Sequence, residues 1–316
     1  LNILFMNILI TGGAGFIGSH LCDALLKRGH HVTVVDNLIL GRKENISHLK
    51  NNPNFMFLEQ DVLNEKAMKK IFEDGDFEMV FHLAANSDIQ KGGKDPMVDY
   101  NLTFNTTFHV LQYMKEFSVK KLFFASTSAI FGEAHDILFE DFGPLRPVSN
   151  YGAGKLASEA FISAFSSTYK IQTWITRFPN VVGERFTHGV IFDFIHKLEK
   201  DPTKLEVLGN GEQCKPYVYV KDLVAGILYV IENSHDSYNV YMLGTDSRTK
   251  VKEIAAMVID EMGLDAKIQY TGGDRGWVGD VPEFRYDLSK VNALGWKAAY
   301  DSNEAVRLAI QKALGK

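Results

Sequence analysis

The chain has 316 residues, of which 46% are hydrophobic and 23% charged, and its formal net charge is −5. This composition is ordinary for a globular protein with a sizeable core and excludes a disordered chain. The small negative charge gives no reason to expect nucleic acid or an anionic membrane as a partner. The two cysteines lie far apart in the sequence, which is typical of a reducing compartment, so a cytoplasmic location is expected.

The sequence predicts neither a membrane span nor a metal site. No apolar run approaches the ~20 residues that a membrane-spanning helix needs. The amino-terminal residues carry no basic region and lead directly into a strand, so no signal peptide is expected. Met6 is a candidate initiator, which makes residues 1–5 a candidate extension. The ten histidines show no metal-ligand spacing.

A glycine-rich turn follows the first predicted strand. The almost wholly apolar run Asn7–Thr11 is typical of a strand that is buried on both faces. Gly12, Gly15 and Gly18 come next with the spacing G-x-x-G-x-x-G, and a helix is predicted over 19–28. Glycines in this position let the backbone approach a pyrophosphate, whose charge is met by the helix N-terminus.

An acidic residue ends the second predicted strand. This strand covers 31–35, and Asp36 follows the glycine turn by about 20 residues, where a carboxylate accepts the hydroxyls of an adenosine ribose. A carboxylate there repels a 2′-phosphate, so NAD rather than NADP is the predicted cofactor. The glycine turn alone is also compatible with a structural role, but all these elements in register predict dinucleotide binding.

Strands and helices keep alternating up to about residue 177. Further strands are predicted over 55–58, 78–85, 121–126 and 173–176, and further helices over 65–72, 99–116 and from 150 onward. The alternation predicts an α/β fold, a Rossmann-type doubly wound parallel sheet whose ligands lie outside the carboxyl ends of the strands. The segment 217–230 is predicted to add one more strand and helix to this sheet.

After about residue 177 the regular alternation of strands and helices stops, and this change predicts two domains. Residues 1–180 and 216–245 form the predicted NAD-binding Rossmann domain. Residues 181–215 and 246–316 form a smaller, mostly α-helical substrate domain built from separated segments.

Tyr151 and Lys155 lie four residues apart in a predicted helix, so their side chains share one face. An ammonium beside a phenol favours the phenolate, so the pKa of Tyr151 is expected below its usual value of about 10. The alternative is a surface pair worth roughly 0.3 kcal/mol. Beside an NAD site, the pair is typical of a base that takes a proton from an alcohol during hydride transfer.

The chain resembles the extended short-chain dehydrogenase/reductases of the nucleotide-sugar epimerase/dehydratase branch, which includes the UDP-glucose/galactose 4-epimerase-like proteins. The resemblance covers essentially the whole chain and implies a nucleotide-sugar-binding role for the smaller domain. The motifs that carry it are the glycine turn at 11–19, HLAA at 82–85, STSAIFG at 126–132, Tyr151 with Lys155, RFPNVVG at 177–183, GNGEQ at 209–213 and GDVP at 279–282.

The resemblance implies three catalytic residues. Tyr151 is the acid/base at the sugar hydroxyl, and Lys155 binds the nicotinamide ribose and holds the pKa of Tyr151 down. Thr127 falls where the family has a Ser or Thr that hydrogen-bonds the reacting oxygen. The competing interpretation of 126–128 is a polar strand end.

The resemblance also implies the binding residues. Its NAD contacts are Gly12, Gly15, Phe16, Ile17, Gly18, Asp36, Asn37, Asp61, Val62, Leu83, Ala84, Ala85, Ser126, Tyr151, Lys155 and Pro179. Its substrate contacts are Ser87, Thr127, Ser128, Asn180, Lys215, Arg275 and Asp280. A solvated surface role competes for Lys215 and Arg275, and a cofactor contact near Asn101 or Thr103 is left open.

Two departures from the family pattern narrow the chemistry. Sugar 4,6-dehydratases carry carboxylates where this chain has Ser128 and Ala129, and Ala129 cannot transfer a proton. Ser87 stands where galactose epimerases carry a lysine. The prediction is NAD-dependent oxidation at C4 of a nucleotide-diphospho-sugar by a 4-epimerase. The alternatives are a 4-dehydrogenase of a nucleotide-diphospho-sugar or -heptose that releases the 4-keto product, then a 4,6-dehydratase or a non-catalytic NAD-binding protein.

Two helices carry aromatic residues beyond those needed to cover the sheet. Phe108 and Tyr113 lie in the helix that precedes the fifth strand, and Phe161 and Phe165 lie in the helix of Tyr151. Family members commonly dimerise through these two helices, so a homodimer is expected. The alternative is that these rings face the sheet.

Overall fold

The structure, a computed structural model, describes residues 5–134, 137–276 and 281–316. These residues cluster into two compact units. The first unit consists of the described residues of 1–130 with 149–177 and 230–241, and the second of those of 131–148, 178–229 and 242–316. The sequence-based division placed 131–148 and 216–229 in the NAD-binding domain, whereas both cluster with the second unit. The functions assigned to the two domains stay a prediction.

A seven-stranded sheet forms the centre of the first unit. Its strands are β1 (Asn7–Thr11), β2 (His31–Asp36), β3 (Phe55–Glu59), β4 (Met79–His82), β5 (Lys121–Thr127), β7 (Gln172–Phe178) and β12 (Tyr238–Met242). The strand order is β12-β7-β5-β4-β1-β2-β3. The pairs β1–β2, β1–β4, β2–β3 and β4–β5 are parallel. This order reverses direction at β1, as in doubly wound nucleotide-binding sheets, and confirms the predicted fold class.

Helices connect the parallel strands and cover the sheet. They are α1 (Phe16–Lys27), α2 (Glu65–Gly75), α3 (Ile89–Lys94), α4 (Pro96–Asp99), α5 (Thr106–Glu116) and α6 (Asn150–Tyr169). A π-helical turn, Tyr100–Asn105, joins α4 to α5. α1 begins three residues earlier than predicted, because Phe16 to Gly18 of the glycine turn already have helical geometry.

The core of this unit explains why its strands are so apolar. Ile8, Leu9 and Ile10 of β1 are fully buried, which requires cover on both faces of the strand. His82 is also fully buried at the end of β4, where its ring nitrogens contact the hydroxyls of Thr11 (2.6 Å) and Thr107 (3.0 Å). Burial, with a smaller contribution from Lys155, lowers the pKa of His82 to about 3, so this histidine is neutral and structural.

The second unit combines helices with short two-stranded sheets. Its strands are β6 (Ile137–Leu138), β8 (Asn180–Val182), β9 (Lys204–Val207), β10 (Cys214–Lys215), β11 (Tyr217–Tyr219), β13 (Thr249–Lys250), β14 (Lys267–Tyr270) and β15 (Arg285–Tyr286). Its helices are α7 (Val190–Lys200), α8 (Val220–Asn233, whose last turn belongs to the first unit), α9 (Val251–Glu261), α10 (Ser289–Leu294) and α11 (Ser302–Ala313).

One predicted strand pairs differently from the expectation. The strand of segment 217–230 was expected in the main sheet, but β11 pairs in parallel with β8 in a separate two-stranded sheet. The strand that joins the main sheet after β7 is β12. Within the described ranges, no helix is long and apolar enough to cross a membrane.

Candidate active site

The glycine turn lies against the end of β4, as the dinucleotide-binding prediction requires. Gly12 has φ +75° and donates its N–H to Val35 O of β2 (2.9 Å). A Cβ added to Gly12 would lie 2.7–2.9 Å from backbone atoms of Leu83 and Ala84. Only glycine is compatible with both the conformation and this close approach. The turn therefore brings two groups of predicted cofactor residues together.

The N-terminus of α1 lies next to these glycines in the chain. Gly15 is the N-cap and makes no side-chain hydrogen bond to the helix, and α1 begins at Phe16 with the positive end of its helix dipole. A Cβ at Gly18 would lie 2.3 Å from Gly12 O, so α1 packs on the turn itself. This arrangement is suited to a pyrophosphate at a helix N-terminus, and the residues present fit NAD.

Asp36 is held at the end of β2 by backbone donors. Its two carboxylate oxygens accept the N–H groups of Ala14 (3.0 Å) and Leu38 (2.8 Å), and the residue is 7% exposed. Burial raises the pKa of Asp36, while these two hydrogen bonds lower it. The carboxylate is thus fixed beside the glycine turn, where the ribose of a bound dinucleotide is expected.

Asn37 and Asp61 lie side by side at the ends of β2 and β3. Asn37 Nδ2 donates to Asp61 Oδ2 (2.8 Å), and the other oxygen of Asp61 accepts the N–H of Leu63 (2.8 Å). Val62 is buried in the core beneath them. The structure thereby places these three predicted NAD contacts in one corner of the first unit.

Of the residues after β4, some contact the glycine turn and others are exposed to solvent. Leu83, Ala84 and Ala85 are partly buried, and Leu83 N–H donates to Thr11 O (3.0 Å). Ser87, a predicted substrate contact, is exposed. Thr103, left open by the sequence, is fully buried in the π-helical turn, and its hydroxyl accepts the N–H of Asn86 (3.2 Å).

Thr127 ends β5 next to the helix of Tyr151. Its hydroxyl accepts the N–H of Ala129 (3.1 Å) and also hydrogen-bonds the phenol of Tyr151. Ser128 and Ala129 follow and are partly buried. The predicted pair of hydroxyls, Thr127 with Tyr151, is therefore brought together by β5 and α6.

Tyr151 lies in the first turn of α6, which Ser149 caps by accepting the N–H of Gly152 (3.1 Å). Burial raises the pKa of Tyr151 to about 12, against the hydrogen bond from Thr127, which lowers it. The nearby carboxyl of Asp99 raises it further. The expectation that this pKa falls below 10 is therefore wrong for the chain itself, because the sequence showed the neighbouring ammonium but not the burial.

Lys155 points to the sheet rather than to the phenol. Its Nζ donates to Ala125 O (2.7 Å) and lies 4.5 Å from the centre of the Phe124 ring. Burial lowers the pKa of Lys155 to about 7, and Glu159 raises it. An ammonium in this position is poised to lose its proton near neutral pH.

Four other predicted ligand residues belong to the second unit. Pro179 is buried against Gly244, and Asn180 begins β8 opposite Tyr217. The remaining two are Lys215, which ends β10, and Arg275, which forms an ion pair with Glu133. Asp280 lies outside the described residues.

Sequence reasoning missed several residues that shape the first unit. Asn45 donates to Ala14 O (3.0 Å) and so fastens the loop after β2 over the glycine turn. Asn86 donates to the buried carboxylate of Asp99 (2.8 Å). Glu159 and Arg177 form a buried ion pair beside β5. The sequence signal for this pair was weak, since a glutamate four residues after Lys155 also reads as a solvated helix position.

The model of the NAD-dependent epimerase/dehydratase family matches residues 8–244. The chain belongs to this family. UDP-glucuronate 4-epimerase of Thermodesulfobacterium geofontis is 30% identical over 95% of this chain and 93% of its own length. The family match confirms the resemblance, the enzyme class and NAD as the cofactor.

Solved structures agree with this membership. UDP-glucose 4-epimerase of Thermotoga maritima, with UDP-glucose, is 32% identical, covers 98% of this chain and 99% of its own, and gives a TM-score of 0.89. UDP-glucose 4-epimerase of Thermus thermophilus, in complex with NAD, is 28% identical with the same coverages and a TM-score of 0.88. Among the described residues, no group of His, Cys, Asp and Glu is arranged to hold a metal ion.

Proposed function

We propose that this protein is a UDP-sugar 4-epimerase in which Tyr151 moves the proton of the C4 hydroxyl. The observation that carries the proposal is the pairing of Thr127 with Tyr151 at the carboxyl end of β5, in the same unit as the glycine turn. Ligands of doubly wound sheets bind at this edge. The relatives named above are 4-epimerases, which favours the predicted epimerase over the 4-dehydrogenase alternative.

The chain's own residues divide the work of the reaction. Tyr151 Oη takes the proton of the C4 hydroxyl as the C4–H bond breaks, and it returns that proton when the 4-keto sugar is reduced on its other face. Thr127 hydrogen-bonds the reacting oxygen and orients it toward Tyr151. Lys155 lies against the same strand end and contributes positive charge near the developing alkoxide. When bound, NAD would supply the hydride acceptor for C4 and the hydride donor for the return step.

The residues after Thr127 support epimerisation over dehydration. Elimination of water across C5 and C6 needs an acid and a base near those carbons. Ser128 and Ala129 occupy the corresponding positions, and the Ala129 side chain can do neither. The oxidised sugar is therefore expected to be reduced again rather than to lose water.

The second unit is proposed to bind the nucleotide diphosphate. Asn180, Lys215 and Arg275 are the proposed contacts, together with Asp280. Arg275 already pairs with Glu133, so binding a phosphate there would require the guanidinium to exchange or share this partner.

A product assay with UDP-glucose and UDP-glucuronate tests the function. The expected result is the 4-epimer of at least one of these sugars by NMR, without net NADH. Tyr151→Phe should bind NAD normally and lose roughly 10²–10⁴-fold in kcat, because the proton acceptor is gone. A 4-keto product that accumulates with stoichiometric NADH would instead establish a dehydrogenase, and a pentose product from UDP-glucuronate would establish decarboxylation.

The proposed assembly is a homodimer in the cytoplasm that serves carbohydrate biosynthesis. Phe161 of α6 is 41% exposed, and its ring lies 5.3 Å from that of Phe104 and 5.4 Å from that of Phe108. These rings supply an apolar face for a second copy. Tyr113 and Phe165 are buried in the core, so for these two the alternative interpretation holds.

A further inference from the structure

Glu159 lies in a buried network of charges and hydrogen bonds beneath the candidate active site. Its Oε1 accepts from Ser126 Oγ (2.5 Å) and from Arg177 Nε (3.1 Å), and its Oε2 accepts a second guanidinium N–H of Arg177 (2.6 Å). The exposed fractions are 1% for Ser126, 4% for Glu159 and 6% for Arg177. The network therefore joins α6, β5 and the end of β7 away from solvent.

A carboxylate buried so deeply needs a specific reason to be there. Desolvating an ion pair costs several kcal/mol per ion, and apolar residues of similar volume are often equally stable in its place. The bidentate contact with Arg177 satisfies the charge of Glu159 and fixes its orientation. Stability alone therefore does not account for this pair.

The network meets the catalytic residues at consecutive positions of β5. Lys155 donates to the carbonyl of Ala125, Glu159 holds the hydroxyl of Ser126, and Thr127 comes next. Lys155 and Glu159 are one helical turn apart, so their side chains lie on the same face of α6. Helix α6 thus contacts the end of β5 through two side chains, directly beside the hydroxyl of Thr127.

We propose that Glu159, anchored by Arg177, is a positioning residue that balances the charge of the Lys155 ammonium and aligns Ser126 and Thr127 with α6. This inference rests on the proposed 4-epimerase function. Glu159 touches neither the sugar nor its reacting atoms in this role. It acts through the Lys155 ammonium and through the backbone of β5.

The other groups around Lys155 cannot supply this charge balance. His82 of β4 is buried and neutral, and its interaction with Lys155 is repulsive when both carry a proton. The Phe124 ring of β5 attracts the ammonium more weakly than a carboxylate does. Tyr151, on the same helix, is held in its neutral form by burial. The carboxylate of Glu159 counters the effect of burial on Lys155.

A stability cycle tests this role without measuring activity. The four proteins are the parent, Lys155→Met, Glu159→Gln and the double variant, each unfolded by urea at saturating NAD from pH 5 to 10. The difference in the free energy of unfolding between proteins with and without Lys155 isolates the contribution of this one titrating group. Because the pKa of Lys155 is lowered on folding, the unfolded chain binds more protons above it, and the stability assigned to Lys155 rises with pH.

In the parent, the stability assigned to Lys155 is expected to begin rising near pH 7. In Glu159→Gln, the rise should begin about one pH unit lower, which corresponds to a tenfold change in the proton-binding equilibrium of Lys155. Glu159→Asp keeps the charge and should restore the parental onset. Glu232→Gln makes the same chemical change in the exposed ion pair with Arg28 and should leave the onset in place. An onset that is unchanged by Glu159→Gln overturns the proposal.

Two further measurements keep the test decisive. If Glu159→Gln does not fold, Glu159→Gln with Arg177→Met also removes the guanidinium that has lost its carboxylate, and it should still move the onset toward acid. In Glu159→Gln, the alkaline limb of the pH profile of kcat should also move toward acid, while the KM changes less than threefold. A parent without epimerase activity refutes the proposed function, whereas an active parent whose variants keep the parental limb and onset refutes the role of Glu159.

Discussion

At the scale of one residue, Asp36 is the proposed link between the choice of cofactor and the glycine turn. Both of its oxygens accept backbone N–H groups, so the carboxylate cannot turn away from the ribose position. A 2′-phosphate brought to the same place would meet a fixed negative charge, which favours NAD over NADP.

Asp36→Asn is expected to reduce the preference for NAD over NADP by about 10- to 100-fold, because hydrogen bonds to a charged group are worth about 1.5–3 kcal/mol. Titration calorimetry with both dinucleotides measures this preference. Asp23→Asn, on the partly exposed side chain that contacts His48, is the matched control and should not alter it. An unchanged preference in Asp36→Asn would show that other residues select the cofactor.

The pKa of Asp36 adds a pH dependence to this preference. Burial raises the pKa of this carboxyl, so the carboxylate is lost at a higher pH than for an ordinary aspartate as the solution is acidified. We expect the NAD preference of the parent to fade on acidification and that of Asp36→Asn to stay flat. Parallel pH profiles for the two proteins would contradict this assignment.

At the scale of elements, the contact between α1 and the glycine turn leaves no room for a side chain. A Cβ at Gly18 would lie 2.3 Å from Gly12 O and 2.8 Å from Gly13 Cα, both backbone atoms that no side-chain rotation can move. Gly18→Ala must therefore push α1 away from β1. The N–H groups at its first turn would move away from the pyrophosphate position.

Gly18→Ala should lose at least tenfold in NAD affinity and about 1–3 kcal/mol of stability, as overpacked sites do. NAD content after purification and urea unfolding measure the two effects. Gly93→Ala in α3 is the matched control, because a Cβ there meets nothing within 4 Å. That control should bind NAD normally and gain a little stability from lower chain entropy. Normal NAD content in Gly18→Ala would refute the tight packing.

The elements also show which features a sequence can predict. The strand, turn and helix around Gly12 were predicted because their signals are local: apolar runs, glycine spacing and one acid. The pairing of β11 with β8 was missed, because the apolar residues of a strand do not specify which other strand it pairs with. The raised pKa of Tyr151 and the pair of Glu159 with Arg177 were missed for the same reason, since both depend on burial by residues distant in sequence.

At the scale of the whole molecule, the aromatic face formed by the π-helical turn, α5 and α6 is the surface that an assembly should use. Phe161 is 41% exposed and packs against Phe104 and Phe108, while Tyr100 beside them is 50% exposed. Grouped aromatic rings in contact with water favour association, because burial of apolar area is worth about 25 cal/mol per Å².

Phe161→Glu is expected to convert the proposed dimer to a monomer, because the carboxylate would be desolvated at the centre of the aromatic face. Sedimentation velocity at several protein concentrations should give the mass of two chains for the parent and of one chain for the variant. Phe139→Glu is the matched control, since Phe139 is 44% exposed but lies in the second unit. A parent that sediments as one chain would refute the dimer, and a Phe161→Glu protein that still sediments as two would place the interface on another surface. Epimerase activity measured on the same samples then shows whether one chain suffices for catalysis.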